Sequence, residues 1–473
     1  MKHKNHKHSN HLSHYLISAL ALGAILFCIT GCSKKTPREA LENAYKKTFT
    51  QENPKETVLG LSEIKEAQNK DKAHSTGFSF AIQELTNEEL GEYAGILSGL
   101  GLDIDMASDT KNRKSSALID VNYGGTTYLS VGGQVNNSKL HLTAPQLLEG
   151  SLCVNLQTMN DDLESDSMMA ELFDLYDITL PDSTGELITS LITPSSLISL
   201  GELASSWNDL DDAIVVETLD KKEVSLPKDI SAKTVYRVII PEEDYGEYMT
   251  AATLTMTEAI NSLLTNMGIE DLGDVDENEL KEVINDFTKE LGDIVFIVSV
   301  TKDGYINYVT TSFEVDAASF EIEASFTGKK NPLEVVEIVA EAEIDGKKLE
   351  FECNESFDSK DQTMALSAEF ILDGETLMDF STEGTYTDIE KGKKYTLDFD
   401  YIELSLADLL SVSVAGNYYI DFTECDIPKL SGPEYNLFTM DEEEFSNLAF
   451  EIIGNLTSDP LLSGLMELLD IGF

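Results

Sequence analysis

An α+β fold, built as one large curved antiparallel β-sheet with helices packed on its apolar concave face, is what three features of this 473-residue sequence predict. Runs of period-two alternation recur from Thr76 to about Phe422, the pattern of strands with one face buried. Three Asp-Gly pairs, Asp303-Gly304, Asp345-Gly346 and Asp373-Gly374, sit between such runs, and Asp-Gly suits the positive φ angles of tight hairpins. One continuous apolar stripe, Tyr245, Tyr248, Met249, Ala252, Met256, Ala259, Ile260, Leu263 and Met267, has helical spacing and a stop at Gly268. The sheet is expected to be half-barrel-like and to extend over two β-rich lobes.

The first 31 residues stand apart from this pattern. Residues 1–14 carry Lys2, Lys4, Lys7 and five histidines with no acid, and Tyr15 to Thr30 form an apolar run broken only by Ser18, Gly23 and Thr30. That run is shorter than the roughly 20 residues needed to cross a bilayer, and it ends in small residues, so it reads as a signal peptide. The run closes in Ile29-Thr30-Gly31-Cys32, which resembles the lipobox of bacterial membrane lipoproteins. The resemblance implies cleavage between Gly31 and Cys32, a diacylglyceryl group on the Cys32 thiol, and a home on the outer face of the bacterial cytoplasmic membrane. Cys28 is the poorer acceptor because Phe27 precedes it where a small residue is wanted. Lys34 and Lys35 either meet anionic headgroups, at about 1 kcal/mol each, or form a charged spacer.

Charge narrows the partners. Cleavage before Cys32 removes three of the 33 basic residues and none of the 86 acidic ones, taking the formal charge from −53 to −56. A field of that sign repels phosphate polymers and excludes nucleic acid, while attracting calcium weakly and basic proteins more generally. With 42 % hydrophobic residues, 17 Tyr and 20 Phe, the chain can still bury a large core.

The mature chain divides into an N-terminal helix and antiparallel β lobe with helical inserts (32–268), an acidic linker and helix (269–292), a second β lobe (293–430) and a C-terminal helical segment (431–473). Thr36-Pro37-Arg38-Glu39 has a cap, a first-turn proline and a capping-box glutamate, with Ala40, Leu41, Ala44, Tyr45 and Phe49 on one apolar face. This helix is similar to those that follow the lipid cysteine in Gram-positive surface lipoproteins. Gln51 to Lys70 reads as its polar continuation. Strands follow at Phe78–Ile82, Ala117–Tyr123, Thr126–Val131, Leu140–Thr143 and Leu152–Leu156, with Asn136-Asn137 at a turn. The pair Thr127-Tyr128-Leu129 and Leu140-His141-Leu142, followed by Pro145, resembles strand pairs of uncharacterised bacterial lipoproteins with a curved sheet.

Apolar helical pieces are expected within 160–210, including Leu187, Ile188, Leu191, Ile192, Leu197, Leu200 and Leu203 up to Trp207. Strands at Ala213–Glu217 and Thr234–Ile240 precede the long helix, whose methionine-rich stripe either packs on the sheet or lines a lipid cavity. After a further helix over Leu280–Leu291 the chain alternates apolar residues with Glu337, Glu341, Glu343, Glu350 and Glu352, so one sheet face should be apolar and the other acidic. Asp441 and Glu444 cap a last helix carrying Phe445, Leu448, Ala449, Ile452 and Ile453, and a further apolar helix follows Pro460.

Catalytic constellations are scarce, and no catalytic residue, cofactor or dedicated metal site is expected. Only His74 and His141 remain after cleavage, which disfavours zinc and Ser-His-Asp chemistry; His141 reads as an exposed or hydrogen-bonded sheet residue. Ser62-x-x-Lys65 and Ser225-x-x-Lys228 lack the accompanying elements of serine acyl enzymes, and Gly95 to Gly99 lacks the spacing of a nucleophile elbow. Asp274, Asp276 and Asn278 have the 1, 3, 5 spacing of an EF-hand loop, but Glu279 and Asn285 stand where glycine and a bidentate glutamate belong. Cys153, Cys353 and Cys425 read as buried apolar residues, with a Cys353–Cys425 bridge as the alternative. The expected architecture resembles that of lipoprotein carriers that hold acyl chains between sheet and helices. Two functions follow as expectations: a noncatalytic surface lipoprotein binding an apolar ligand in the sheet, or an acidic adhesion module for a protein or cation-bridged partner.

Overall fold

The computed structural model describes residues 36–87, 94, 97–163, 167–175, 210–266, 276–315, 318–329, 331–344, 346–407 and 409–458. Gly31, Cys32, the Leu187–Trp207 pieces, Met267, Gly268, Asp274, Asp345 and the segment beyond Pro460 lie outside them.

Three helices open the described chain. Helix α1 (Pro37–Tyr45) has the expected capping box: the Thr36 hydroxyl accepts from the Glu39 amide, and the Glu39 carboxylate accepts from the Thr36 amide. Such a cap is worth about 1 kcal/mol. A π-helical turn, Lys46–Gln51, carries Phe49 onward, and the chain then breaks. Asn53 caps α2 (Pro54–Leu59), and Gly60, in the left-handed region, separates it from α3 (Leu61–Asn69). The single polar continuation expected over Gln51–Lys70 is therefore two helices. It is not wholly polar either, since Leu59, Ile64 and Ala67 are buried.

The first strands are β1 (His74–Thr86), β2 (Leu100–Asp109), β3 (Lys114–Tyr123), β4 (Thr126–Asn136), β5 (Lys139–Thr143) and β6 (Ser151–Asn155). Each pairs antiparallel with the next. Strand β2 was not expected, because Asp103 and Asp105 alternate with Leu102 and Ile104 behind a glycine-rich approach that masks the period. Asn137 takes the positive φ expected of it, 59°, in the β4–β5 turn. Short helices α4 (Met159–Leu163) and α5 (Met168–Leu175) follow, then β7 (Val215–Leu219), β8 (Thr234–Ile240), the long α6 (Glu242–Asn266) and α7 (Glu277–Leu291).

Nine consecutive strands come next: β9 (Ile294–Val300), β10 (Ile306–Val315), β11 (Ala318–Phe326), β12 (Val335–Ile344), β13 (Lys347–Asp358), β14 (Thr363–Leu372), β15 (Glu375–Glu390), β16 (Lys394–Leu406) and β17 (Leu410–Asp421). At the β14–β15 turn Asp373 (φ 51°) and Gly374 (φ 84°) both take the left-handed conformation that a two-residue hairpin demands. A three-residue strand, β18 (Glu434–Asn436), and helix α8 (Glu442–Ser458) complete the described chain. Asp441 accepts from the Glu444 amide at 2.9 Å, the expected cap.

All 18 described strands belong to one sheet. Strands β7 to β17 pair in sequence order, and β17 then pairs with β1, so the β1–β6 run continues the same sheet. The far end is β18, parallel to β6. The sheet is thus large, open and antiparallel but for this last pair, and its hydrogen bonding crosses the expected boundary between lobes at both β8–β9 and β17–β1.

Every strand presents apolar residues to one face, and the helices cover part of it. Leu41, Ala44, Tyr45 and Phe49 from the first segment, with Tyr245, Tyr248 and Met249 from α6, pack on Tyr236, Val238, Phe296, Val298, Val309, Ala324, Phe326 and Ile338. Leu59, Val58 and Leu61 pack on Phe357, Met364, Tyr386, Leu397 and Phe399. Full burial of a side chain such as Leu41 or Leu59 contributes about 1.5–3 kcal/mol. The described part of the long helix's stripe thus packs on the sheet, as the first of its two readings had it.

Polar contacts align these layers. Arg38 bridges Glu42 at 3.2 Å and Asp211 at 2.9 Å, and its guanidinium also donates to the Ile214 carbonyl. The buried Thr48 hydroxyl accepts from the Ile306 amide at 2.9 Å. Lys55 pairs with Glu355, a carboxylate that register places among apolar neighbours, between Val336 and Leu366. Burial holds the Lys55 pKa below its usual value, so its charged form is disfavoured there and depends on Glu355 for compensation.

Two outcomes follow for stability. Glu355→Gln should destabilise the fold by about 1–3 kcal/mol, whereas Lys55→Met with Glu355→Leu should be near neutral; urea denaturation of both decides, and equal losses would refute the compensation. A Cβ on Gly416 would lie 1.8 Å from the Ser79 carbonyl oxygen, against 3.9 Å for the nearest atom to one on Gly133. Gly416→Ala should therefore cost about 1–3 kcal/mol in the same assay and Gly133→Ala next to nothing.

Candidate functional site

Two places in the sheet combine unusual exposure or chemistry. The first is the part of the apolar face that the described helices leave bare. Register sets its side chains in rows across neighbouring strands: Phe78, Ile104, Ile119 and Val131 form one row over β1–β4, and Phe80, Leu102, Val121 and Leu129 form the next. Phe78, Ile119 and Val131 are exposed at 37 %, 39 % and 42 %, as are Met106 and Leu142 nearby at 39 % and 42 %. On the other side of β1, the strip continues through Val414, Ile402 and Phe380 to Phe370 and Phe351, all only partly buried. Large apolar residues scattered singly need no explanation, whereas a contiguous apolar strip on several strands is uncommon on a protein surface.

Neither of the two recesses formed by the described residues is an enclosed apolar cavity. A recess of about 550 Å³ beside the β10–β11 and β12–β13 turns is lined by Glu314, Glu321, Glu341, Glu343 and Lys348 as well as Phe313 and Phe320. Another of about 360 Å³ lies between α6 and α7, with Asp244, Glu247, Glu277 and Lys281 at its walls. Both are polar enough to disfavour an acyl chain.

Over β11–β15 the opposite face of the sheet is acidic, as expected for that stretch. Glu352, Glu369 and Asp379 are direct cross-strand neighbours on β13, β14 and β15, and Glu321, Glu341 and Glu350 form a second row over β11–β13. Like charges so placed are destabilising unless a cation intervenes. In the second row Lys348 bridges both Glu341 and Glu350 at 3.1 Å.

The second place is the open end of the sheet, where β5, β6 and β18 meet. His141 and Cys153 are register partners on β5 and β6, and β18 brings Glu434 alongside Ser151. His141, Cys153 and Ser151 are buried, and ligand atoms of His141, Cys153 and Glu434 all lie within 4.8 Å of one another. His141 Nδ1 lies 3.3 Å from the Ser151 hydroxyl, and Lys139 bridges the Glu434 carboxylate at 3.0 Å. Burial lowers the His141 pKa and raises that of the Cys153 thiol, favouring the neutral form of each. The hydrogen bond from Lys139 holds the Glu434 pKa down and its own up, favouring the charged pair.

The residues singled out from the sequence distribute differently. His141 is the hydrogen-bonded residue of its two readings and is buried rather than exposed. His74 stacks on Phe422 with ring centroids 4.9 Å apart, and its Nδ1 lies 2.8 Å from the Lys72 carbonyl oxygen. Asp276 caps α7, accepting from the Asn278 amide at 2.8 Å. Cys153, Cys353 and Cys425 are free thiols; only Cys153 is fully buried, the other two being partly so, and the alternative Cys353–Cys425 bridge is not formed. Sequence spacing could not reveal the His141–Cys153–Glu434 group, because Glu434 is supplied by a strand almost 300 residues away.

No protein-family model matches this sequence, and neither does any curated protein. Among solved structures, the low-pH structure of the OprB protein of Pseudomonas putida aligns over 76 % of this chain and 94 % of its own, at 7 % identity and a TM-score of 0.22. A mutant of the vaccine antigen transferrin-binding protein B from Haemophilus parasuis Hp5 aligns over 74 % and 75 % respectively, at 8 % identity and a TM-score of 0.11. Scores of that size carry no weight for either fold or function, so the chain's own geometry has to supply the argument.

Proposed function

We propose that this protein is a lipid-anchored, noncatalytic surface lipoprotein that binds the acyl chains of a lipid along the bare apolar strip of its sheet. The observation that carries the reading is the row Phe78–Ile104–Ile119–Val131, which leaves large apolar side chains exposed on neighbouring strands. Burying such surface contributes roughly 25 cal/mol per Å², and an acyl chain is the flexible apolar ligand able to follow a twisted row of side chains. The binding surface is an open face of the sheet, concave in this proposal, rather than an enclosed pocket. The lipobox at Cys32 supplies the reason for such a surface to sit beside a membrane, and attachment there is part of the same proposal.

A second reading draws on the acidic rows Glu352–Glu369–Asp379 and Glu321–Glu341–Glu350, which suit an adhesion module meeting a basic or calcium-bridged partner. The two readings use opposite faces of the sheet, so variants on one face leave the other intact.

Native mass spectrometry of the protein purified from a lipid-containing extract should reveal bound lipid, and Ile119→Asp with Val131→Asp should remove it without lowering the denaturation midpoint appreciably. A bare wild-type mass, or lipid retained equally by the double variant, would refute acyl-chain binding; calcium-dependent partner capture lost in Glu369→Lys would favour the second reading. Cys32→Ser should independently abolish incorporation of labelled fatty acid and shift the protein out of the membrane fraction.

A further inference from the structure

We infer that His141, Cys153 and Glu434 form a zinc site that pins β18 to the β5–β6 hairpin. Three observations meet here. The ligand atoms already lie within 4.8 Å of one another, so small side-chain rotations bring them to the separations of a tetrahedral site. His141 and Cys153 are buried on adjacent strands at matching register, which fixes two ligands on a rigid base. The third, Glu434, is half-exposed and arrives on a strand of only three residues, the one parallel member among the described strands.

The donor set selects the metal. One imidazole nitrogen, one thiolate and one carboxylate oxygen suit zinc, whereas calcium, which the acidic surfaces attract, takes oxygen ligands throughout. The partners of these groups are those of a supporting shell: Ser151 Oγ lies 3.3 Å from His141 Nδ1 and so favours coordination through Nε2, and Lys139 holds one Glu434 oxygen while leaving the other for the metal. Binding replaces the Cys153 thiol proton, which leaves to solvent, so affinity rises with pH. Three protein ligands leave the fourth position of a tetrahedral ion to a water molecule.

The metal has a structural task. Backbone pairing attaches Glu434–Asn436 to β6 over three residues, and the chain then runs directly into α8, whose Phe445, Leu448 and Ile452 cover Leu148 and Leu152. A zinc bridge between Glu434 and the hairpin holds this C-terminal cover against the end of the sheet. It acts on the end remote from the bare strip's centre and is independent of lipid binding.

Cobalt titration of the reduced, detergent-solubilised full chain tests the assignment. One equivalent of Co²⁺ should give a thiolate-to-cobalt charge-transfer band with the visible spectrum of a four-coordinate ion, displaced by one equivalent of Zn²⁺ and unaffected by excess Ca²⁺. Cys153→Ser and His141→Asn should remove the band, Cys353→Ser should leave it unchanged, and Glu434→Gln should weaken cobalt affinity by at least about 10-fold, because losing a ligand costs no less than losing one of its outer partners. Glu434 is half-exposed, so its variant serves as the deciding one should Cys153→Ser fail to fold. Absence of a thiolate band in the wild type, or equal cobalt affinity in wild type and Glu434→Gln, would overturn the site and assign any metal uptake to the acidic surface.

Discussion

The pairing of β1 with β17 is the constraint on which the rest of this structure depends. Ser75 to Thr86 hydrogen-bond with Ser411 to Asp421, joining strands more than 300 residues apart in sequence. Without it the β1–β6 run and the β7–β17 run would be two sheets with two open edges facing solvent, and unpaired edges invite association with other chains. With it, one largely apolar face passes from β8 to β6. The close approach at Gly416, where Ser79 and Phe80 leave no room for a side chain, is the local condition for that pairing.

A face of that extent cannot be covered by the helices the chain supplies among its described residues. The first 34 described residues fill two places on it, one under α1 and α6 and another under α2 and α3. Each contact is secured by a polar tie that would be unfavourable if left open: Thr48 with the Ile306 amide, Arg38 with Glu42 and Asp211, Lys55 with Glu355. Burial raises the Asp211 pKa even beside Arg38, so these ties align the layers rather than supply much net stability. What remains bare over β1–β4 is the surface proposed to take a lipid. The acidic rows on the other face oppose dense association through that side, since their like charges repel one another and any similar surface.

Much of the secondary structure was legible because its signals are local. The capping box at Thr36–Glu39, the cap at Asp441, the Asp373-Gly374 turn and the alternation through β12 and β13 each lie within a few residues of sequence, and each appears where expected. The failures have local causes too. Aspartates on β2 face the acidic side opposite Asp120 and Ser79, so its alternation is genuine but sits in a glycine-rich stretch. Gln51–Lys70 looked uniformly polar because Leu59, Ile64 and Ala67, its buried residues, are divided between two short helices that break at Gly60, so no single helical stripe joins them.

The sequence by itself determined the strong negative charge, the alternation of apolar with acidic residues through β12 and β13, and the bounds of the capped helices α1, α6 and α8. These depend on composition, periodicity and caps, all of which act between near neighbours. Tertiary structure alone decided that the described strands form one sheet, that β1 follows β17, that the described helices leave part of the apolar face bare, and that Glu434 meets His141 and Cys153. The physical reason is that these features arise from contacts between segments hundreds of residues apart, where register is chosen by matching whole apolar faces and no short stretch of residues records the partner.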